Sequence, residues 1–216
     1  MLAVLVRIQL RLKNVLNTNG SLSMNEITQI LNFIVEVEKL KSVIRKTRPV
    51  GLRRYENSAE HSWHVCLSSL ILKDYANDPV DINQVIKMLL IHDLGEIDAD
   101  DKIIYSSETV ENKLNEESGI RRIFAILPQG QADQYLSLWH EFEAGETPES
   151  KYARAIDRVP PLLHNLHDNG HSWKKHNIPK EKVFSLNRRR ISEGSHQLWD
   201  AIEVRLIKAV KDGLLN

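Results

Sequence analysis

The adjacent residues His92 and Asp93 follow a mostly apolar run at positions 85–91. An imidazole beside a carboxylate in apolar surroundings is costly unless the two groups are paired, and a divalent cation would use both as ligands. His61 and Asp157 are two further candidate ligands. Together the four residues supply two imidazoles and two carboxylates, a set that favours Mn²⁺, Co²⁺, Fe²⁺, Zn²⁺ or Ni²⁺ over Ca²⁺, which prefers oxygen. We therefore predict one divalent transition metal, held by His61, His92, Asp93 and Asp157.

The apolar residues recur at helical spacing along almost the whole chain, and no strand-like alternation interrupts them. The start and stop signals predict these helices: from Ser23 to about 44, 59–76, 81–95, 108–127, 132–143, one starting at Pro148, and 181–215 with a break at 192–194. We predict an all-α fold, a compact multi-helix bundle around a central metal site. Residues 21–216 would form one domain after a leader at 1–20.

The four candidate ligands fall on three different predicted helices, so they can meet only if those helices pack around one cavity. Metal sites in helix bundles are built in this way. Each ligand also has a simpler interpretation. His61 could be a surface residue in a first helical turn, and Asp157 could pair with Arg154 or Arg158.

Composition narrows the range of partners. The chain has 216 residues, is 42% apolar, and carries 29 basic and 29 acidic residues, so no net field favours nucleic acid or an anionic membrane. No segment approaches the ~20 apolar residues of a membrane span, and the N-terminus does not resemble a signal peptide. Cys66, the single cysteine, is expected to be a core residue. We predict a cytoplasmic protein without nucleic-acid or membrane partners.

The pattern His61, His92-Asp93, Asp157 resembles the H…HD…D signature of the HD-domain metal-dependent phosphohydrolases. The similarity extends over roughly residues 25 to 190 and is strongest to the branch that contains 5′-deoxynucleotidases. Its flanking segments are 40–45, 56–61, 157–165 and 172–173.

This resemblance implies roles for further residues. Glu96 would be the catalytic acid or base, Asp101 would lie near the sugar, and Arg45 would face the phosphate. Lys46 would also contact substrate, at a position where some deoxynucleotidases carry a tryptophan that excludes the ribose 2′-hydroxyl, so deoxy preference stays open. The implied reaction is hydrolysis of nucleoside or deoxynucleoside 5′-monophosphates to nucleoside and phosphate through a metal-activated water.

Alternatives remain at the level of single residues. Glu96 could be a solvated carboxylate at a helix end, and Arg45 could lie on the surface after the first helix. Asp101 belongs to an acidic cluster at 98–101, so the sequence does not single it out from the neighbouring carboxylates. The histidines at 164–176 match no closed metal site, and the basic run at 187–190 could bind phosphate or be a solvated helical face.

Alternatives also remain for the whole protein. Basic residues between Arg45 and Arg54 keep an HD hydrolase of nucleoside triphosphates or alarmones in consideration, and a non-catalytic helical protein that senses metal or nucleotide is a third candidate. A homodimer is also predicted, because apolar residues on two predicted helices are expected to face outward. These residues are Leu136, Leu138, Trp139, Ile202, Leu206 and Val210.

Overall fold

The computed structural model describes residues 24–105 and 109–216, and the regular structure in these ranges is helical. The helices are α1 (Met24–Val37), α2 (Ser58–Leu72), α3 (Ile82–Ile91), α4 (Glu96–Ala99), α5 (Val110–Phe124), α6 (Gln129–Ala144), α7 (Pro148–Asp157), α8 (Val159–His167), α9 (His171–Lys175), α10 (Lys180–Gly194) and α11 (His196–Lys211). Short 3₁₀ helices cover Glu38–Ser42 and Lys73–Tyr75. Within the described ranges, extended pairing is confined to one antiparallel bridge between Ile44 and Asn57. The all-α prediction is confirmed.

Capping residues explain where the site-bearing helices begin. Asn57 caps α2 in a reciprocal capping box with Glu60, and the side chain of Asp81 caps α3. Thr147 caps α7, with Pro148 in its first turn. The predicted leader at 1–20 and the start at Ser23 lie outside the described residues. No helix in the described part of the chain combines the length and apolar character needed to cross a membrane.

Some predicted helix boundaries were wrong, among them the following two. The first helix ends at Val37, and Ile44 is instead extended and paired with Asn57. Pro128 was interpreted as part of a stop, but α6 already starts at Gln129 with Pro128 as its N-cap residue. Proline fixes its own φ and lacks an N–H group, so it is as compatible with a helix start as with a helix end.

Helix α7 lies at the centre of the bundle and packs against α10, α3, α6 and α2. Its buried face contains Tyr152, Ala153 and Ile156, which join apolar residues of α2 and α3 in one core cluster. Because Asp157 is the last residue of α7, this packing carries its carboxylate to the middle of the molecule.

The apolar residues that suggested a dimer surface are largely part of the core. Trp139, Ile202 and Leu206 are buried, because α6 packs against α5 and the apolar stripe of α11 covers α10. The basis of the homodimer prediction was therefore wrong, and the oligomeric state stays a prediction. Other apolar side chains are exposed on several helices, among them α1, where Leu31 is 57% exposed.

A backbone contact fixes the turn that follows α3. A Cβ atom at Gly119 would lie 2.9 Å from the carbonyl oxygen of Gly95, and one at Gly95 would lie 2.8 Å from the carbonyl oxygen of Glu116. Only glycine fits at this distance on either side. Helix α5 therefore presses directly on the turn that links His92 and Asp93 to Glu96.

Candidate metal centre

The four predicted ligands meet where α2, α3 and α7 converge. His61 lies one turn into α2, His92 is the C-cap residue of α3, and Asp93 follows it. Asp157 closes α7. All four side chains are buried, so the surface interpretation of His61 was wrong.

The ligand atoms converge on one point. His61 Nε2 lies 2.8 Å from Asp157 Oδ1, and His92 Nε2 lies 3.5 Å from the same oxygen and 3.1 Å from Asp93 Oδ1. One atom each of His61, His92 and Asp157 lies within 4.8 Å of the others, a spacing that could hold a metal ion. The alternative partner of Asp157 is also present, since Arg158 Nη2 lies 3.2 Å from Asp157 Oδ2.

The hydrogen bonding of His92 fits a metal ligand. Its Nδ1 lies 2.9 Å from the carbonyl oxygen of Leu89, which fixes the proton there and leaves the lone pair on Nε2. His92 Nε2 is buried, has no hydrogen-bond partner, and faces carboxylate oxygens of Asp93 and Asp157. A lone pair and two carboxylates directed at one point require a cation. The residues present therefore fit a divalent metal.

The charges around these atoms also fit a site for a cation. Burial alone would lower the pKa of His92, but the negative charges of Asp93 and Asp157 outweigh it and raise the pKa to about 9. Burial alone would raise the pKa of Asp157. The charge of Arg158 and the interactions with His61 and His92 outweigh this effect and hold the pKa well below the usual range. Without a metal, a proton on His92 would supply the positive charge that these carboxylates need.

Arg45 lies inside the site rather than on the surface, so its surface interpretation was wrong. Its Nη1 donates to Asp93 Oδ2 at 2.7 Å and lies 3.6 Å from Asp101 Oδ1 and 3.9 Å from Glu96 Oε2. Burial would lower the pKa of Arg45, yet the surrounding carboxylates raise it above its ordinary value. The guanidinium is thus held as a buried cation within reach of the metal ligands.

Glu96 and Asp101 are enclosed beside Arg45. The Glu96 side chain is only 13% exposed and accepts a 2.7 Å hydrogen bond from the Ser58 hydroxyl, so it is not a solvated helix-end carboxylate. Burial, followed by the charge of Asp93, raises the pKa of Glu96 well above its usual range, and burial likewise raises the pKa of Asp101. Lys46 is more exposed, with Nζ 3.9 Å from Asp101 Oδ2.

A cavity of about 360 Å³ opens from the metal ligands to the surface. Small-molecule sites fall in this size range, about 300–1,000 Å³. Its wall also contains basic residues that were not among the predicted site residues: Lys102, Arg154, Arg158, Arg189 and Arg190. The basic run at 187–190 divides by function, since Asn187 is buried and donates to the Tyr105 hydroxyl whereas Arg189 and Arg190 line the cavity.

Arg158 is the basic residue with the strongest link to the ligands. It pairs with Asp157 through Nη2, while its buried Nε has no hydrogen-bond partner. Its position directly after Asp157 was the available sequence signal. For Arg189 and Arg190 the basic run left both a phosphate patch and a solvated face open, because only the packing of α10 against α7 brings these two residues to the cavity.

The family comparison agrees with this geometry. Residues 37–199 match the HD domain family, and the chain belongs to that family. A crystal structure of a predicted metal-dependent phosphohydrolase from Magnetospirillum magnetotacticum MS-1 is 39% identical, with a TM-score of 0.83, and the match covers 88% of this chain and 98% of that one. The predicted resemblance to the HD-domain phosphohydrolases is confirmed at this level.

Two curated relatives are more distant in sequence. The 5′-deoxynucleotidase HDDC2 of Dictyostelium discoideum is 27% identical over 145 residues, which cover 63% of this chain and 76% of that protein. The 5′-deoxynucleotidase hdd1 of Schizosaccharomyces pombe is 24% identical over 114 residues, covering 50% and 56%.

Proposed function

We propose that this protein is a metal-dependent phosphohydrolase that converts deoxynucleoside 5′-monophosphates to deoxynucleoside and phosphate. The observation that carries the proposal is the unpartnered Nε2 of His92, directed at Asp93 and Asp157 and next to the buried guanidinium of Arg45. A cation site beside a buried arginine suits a phosphate group, which is an anion of high charge density. The names of the two curated relatives support the substrate class.

His61, His92, Asp93 and Asp157 would hold the metal. When bound, a divalent cation supplies charge neutralisation for the phosphoryl oxygens and lowers the pKa of a water molecule. The cavity beside these ligands gives a phosphate group access to them.

The other residues of the site have separable roles in this proposal. Arg45 would donate N–H groups to the phosphoryl oxygens and so stabilise the charge that develops on them. Glu96 would hold a proton for the leaving 5′-oxygen, because its raised pKa favours the protonated carboxyl and Ser58 orients it. Arg158 would offer its unpartnered Nε to the phosphate from the other side of Asp157.

The sugar end of the substrate would meet Asp101 and Lys46. Asp101 is buried next to Arg45, and Lys46 extends outward beside it. A carboxylate that accepts a hydrogen bond from the sugar 3′-hydroxyl would orient the nucleoside. Whether the ribose 2′-hydroxyl is rejected depends on the space next to Lys46, so deoxy preference is the part of the proposal that requires paired substrates.

The test is phosphate release from matched ribo- and deoxynucleoside 5′-monophosphates by stripped protein reloaded with Mn²⁺, Co²⁺, Mg²⁺ or Zn²⁺. We expect release from the monophosphates with at least one metal, faster for the deoxy member of each pair. Glu96→Gln should reduce kcat by about 100-fold or more, which is the usual contribution of a positioned acid or base. Glu146→Gln, at an exposed carboxylate outside the cavity, is the matched control and should leave kcat unchanged.

Two outcomes would contradict the proposal. One is no phosphate release with any of the metals from protein that binds metal, which would favour first a hydrolase of nucleoside triphosphates or alarmones and then the non-catalytic sensing role. The other is full activity in Glu96→Gln, which would remove Glu96 from the reaction.

A second candidate function has its own observation. The arginines at 154, 158, 189 and 190 line the same cavity and could meet additional phosphates, as a hydrolase of nucleoside triphosphates or alarmones would require. The product distinguishes the two, since a triphosphate hydrolase releases pyrophosphate or triphosphate rather than only phosphate. If this candidate is correct, the double substitution Arg189→Gln and Arg190→Gln should raise the KM for triphosphates much more than the KM for monophosphates.

A further inference from the structure

A second group of potential metal ligands lies beside the first and shares no residue with it. It consists of Glu56, His64 and His164, each of which offers one atom within 4.8 Å of the others. Glu56 and His164 are both 2% exposed, and His64 is half-buried. The three residues come from the segment before α2, from α2 itself and from α8, so they meet only in the folded chain.

The orientation of His164 directs its free nitrogen into this group. Its Nδ1 lies 3.2 Å from the Thr47 hydroxyl, and its Nε2 lies 3.9 Å from Glu56 Oε1. The second distance is too long for a hydrogen bond. Metal bonds of about 2.0–2.2 Å place two ligand atoms of one ion about 3 to 4 Å apart, so the gap suits a shared cation. The ring of His64 lies with its centroid 6.0 Å from that of His164.

Glu56 is a buried carboxylate whose polar partners are incomplete. Its Oε2 has no hydrogen-bond partner, although His61 Nδ1 lies 3.5 Å away and Arg45 Nε lies 3.6 Å away. Its Oε1 is the oxygen that faces His164. The carboxylate therefore has one oxygen toward the first ligand cluster and one toward the second, and a carboxylate buried in this way requires compensating positive charge.

We propose that Glu56, His64 and His164 bind a second divalent transition-metal ion, with two imidazole nitrogens and one carboxylate oxygen as ligands. This donor set suits Zn²⁺ or Co²⁺. The ion is structural. It joins α2 and α8 to the segment that carries Arg45, whose backbone N–H donates to the carbonyl oxygen of Glu56 at 2.9 Å. The second ion thus fixes the position of the buried guanidinium.

The experiment measures metal stoichiometry and needs no substrate, so its outcome is independent of the proposed reaction. Stripped protein is reloaded with Zn²⁺ or Co²⁺, passed through a desalting column and analysed by mass spectrometry of the metal. We expect two ions per wild-type chain and one in His64→Ala and in His164→Gln. Asp157→Asn, which disables the first site, should also retain one, and Asp157→Asn combined with His64→Ala should retain none.

Matched controls separate this site from adventitious binding and misfolding. His140→Ala, at a histidine whose side chain is 42% exposed, should still hold two ions. His64 is the more informative position because it is only half-buried, and circular dichroism of the metal-free His64→Ala chain should match wild type. One ion in wild type that is unchanged in His64→Ala would overturn the proposal. Two ions that survive both His64→Ala and His164→Gln would overturn it equally. Anomalous scattering at the zinc edge should give a peak between Glu56 and His164.

Discussion

Arg45 and Asp93 form a 2.7 Å ion pair that connects the candidate phosphate-binding group to a candidate metal ligand. Asp93 divides its two oxygens, with Oδ2 toward Arg45 and Oδ1 toward His92 Nε2 at 3.1 Å. A cation at the ligand cluster would take charge from Asp93 and so weaken its hold on Arg45. Metal binding and phosphate binding are therefore expected to favour each other, as groups in one charge network do.

Removal of the Arg45 guanidinium should impair turnover without removing the metal. In Arg45→Gln we expect kcat/KM for a nucleoside monophosphate to fall by about 100- to 1,000-fold, the effect of losing one donor to a developing charge. Metal content, measured on the same preparation, should stay at the wild-type level. Arg53→Gln, an exposed residue of the same segment, is the control. If kcat/KM of Arg45→Gln differs from that of Arg53→Gln by less than about twofold, a phosphate-binding role of Arg45 is ruled out.

The stability of the metal-free chain should depend on pH through Glu96. Burial and Asp93 raise the folded-state pKa of Glu96 above its unfolded value, so the folded chain binds more protons between the two pKa values. Stability from this group is fully present below the unfolded pKa and is lost as pH rises through the folded pKa. Urea denaturation of wild type and Glu96→Gln across this range should show wild type losing stability relative to the variant. A constant difference at all pH values would show that Glu96 does not titrate in this way.

Chelation of the metal should lower thermal stability. A ligand at about 100 times its Kd adds about 2.7 kcal/mol to the folded state. In a chain of this size that energy corresponds to a shift in Tm of about 5–10 °C. Calorimetry with and without added Mn²⁺ or Zn²⁺ after stripping would measure the shift. Asp157→Asn should respond less to added metal than wild type, and an equal response would argue against Asp157 as a ligand.

The contact between Gly95 and Gly119 should tolerate no side chain. Gly119→Ala would place a Cβ 2.9 Å from the Gly95 carbonyl oxygen, and we expect a loss of about 1–3 kcal/mol in the free energy of unfolding. The control is Gly130→Ala in α6, where nothing lies within 4 Å of the new Cβ. There the substitution should be neutral or add about 0.4–1 kcal/mol, because alanine restricts the unfolded chain. Equal effects of the two substitutions would contradict the close approach.

Cys66 should be inert in the folded protein. Burial raises the pKa of its thiol to about 11, so little thiolate is present at pH 8. Labelling with a thiol reagent should be slow in buffer and rapid in urea, with one site per chain as the sequence requires. Rapid labelling of the native protein would mean that the helix packing around Cys66 opens readily.

The helices of this fold were largely predictable from the sequence. Capping residues such as Asn57 and Asp81 and the helical spacing of apolar residues are local signals, and the structure follows them. The boundary near Pro128 was missed because proline is compatible with both ends of a helix. The burial of α11 was missed for a different reason, since spacing identifies an apolar stripe but not the element that covers it.

The candidate site likewise contains residues that the sequence marked and residues that it did not. His92 and Asp93 are adjacent in sequence, and their placement after an apolar run marked them directly. Glu56 and His164 are far apart in the chain, and nothing local to either position indicates that they meet. The basic run on α10 was noted as a possible phosphate patch, but the sequence could not show which of its residues reach the cavity, because only the packing of that helix on α7 determines this.

The contact between Gly95 and Gly119 means that the turn carrying the reactive residues and the wall of the cavity differ in how freely their residues can be exchanged. Because Gly95 and Gly119 meet through backbone alone, no side chain there can be exchanged to adjust the turn that carries His92, Asp93 and Glu96. Arg189 and Arg190, by contrast, belong to a different helix and line the cavity wall. Substrate range can therefore diverge by exchange of wall residues while the reactive centre keeps its shape.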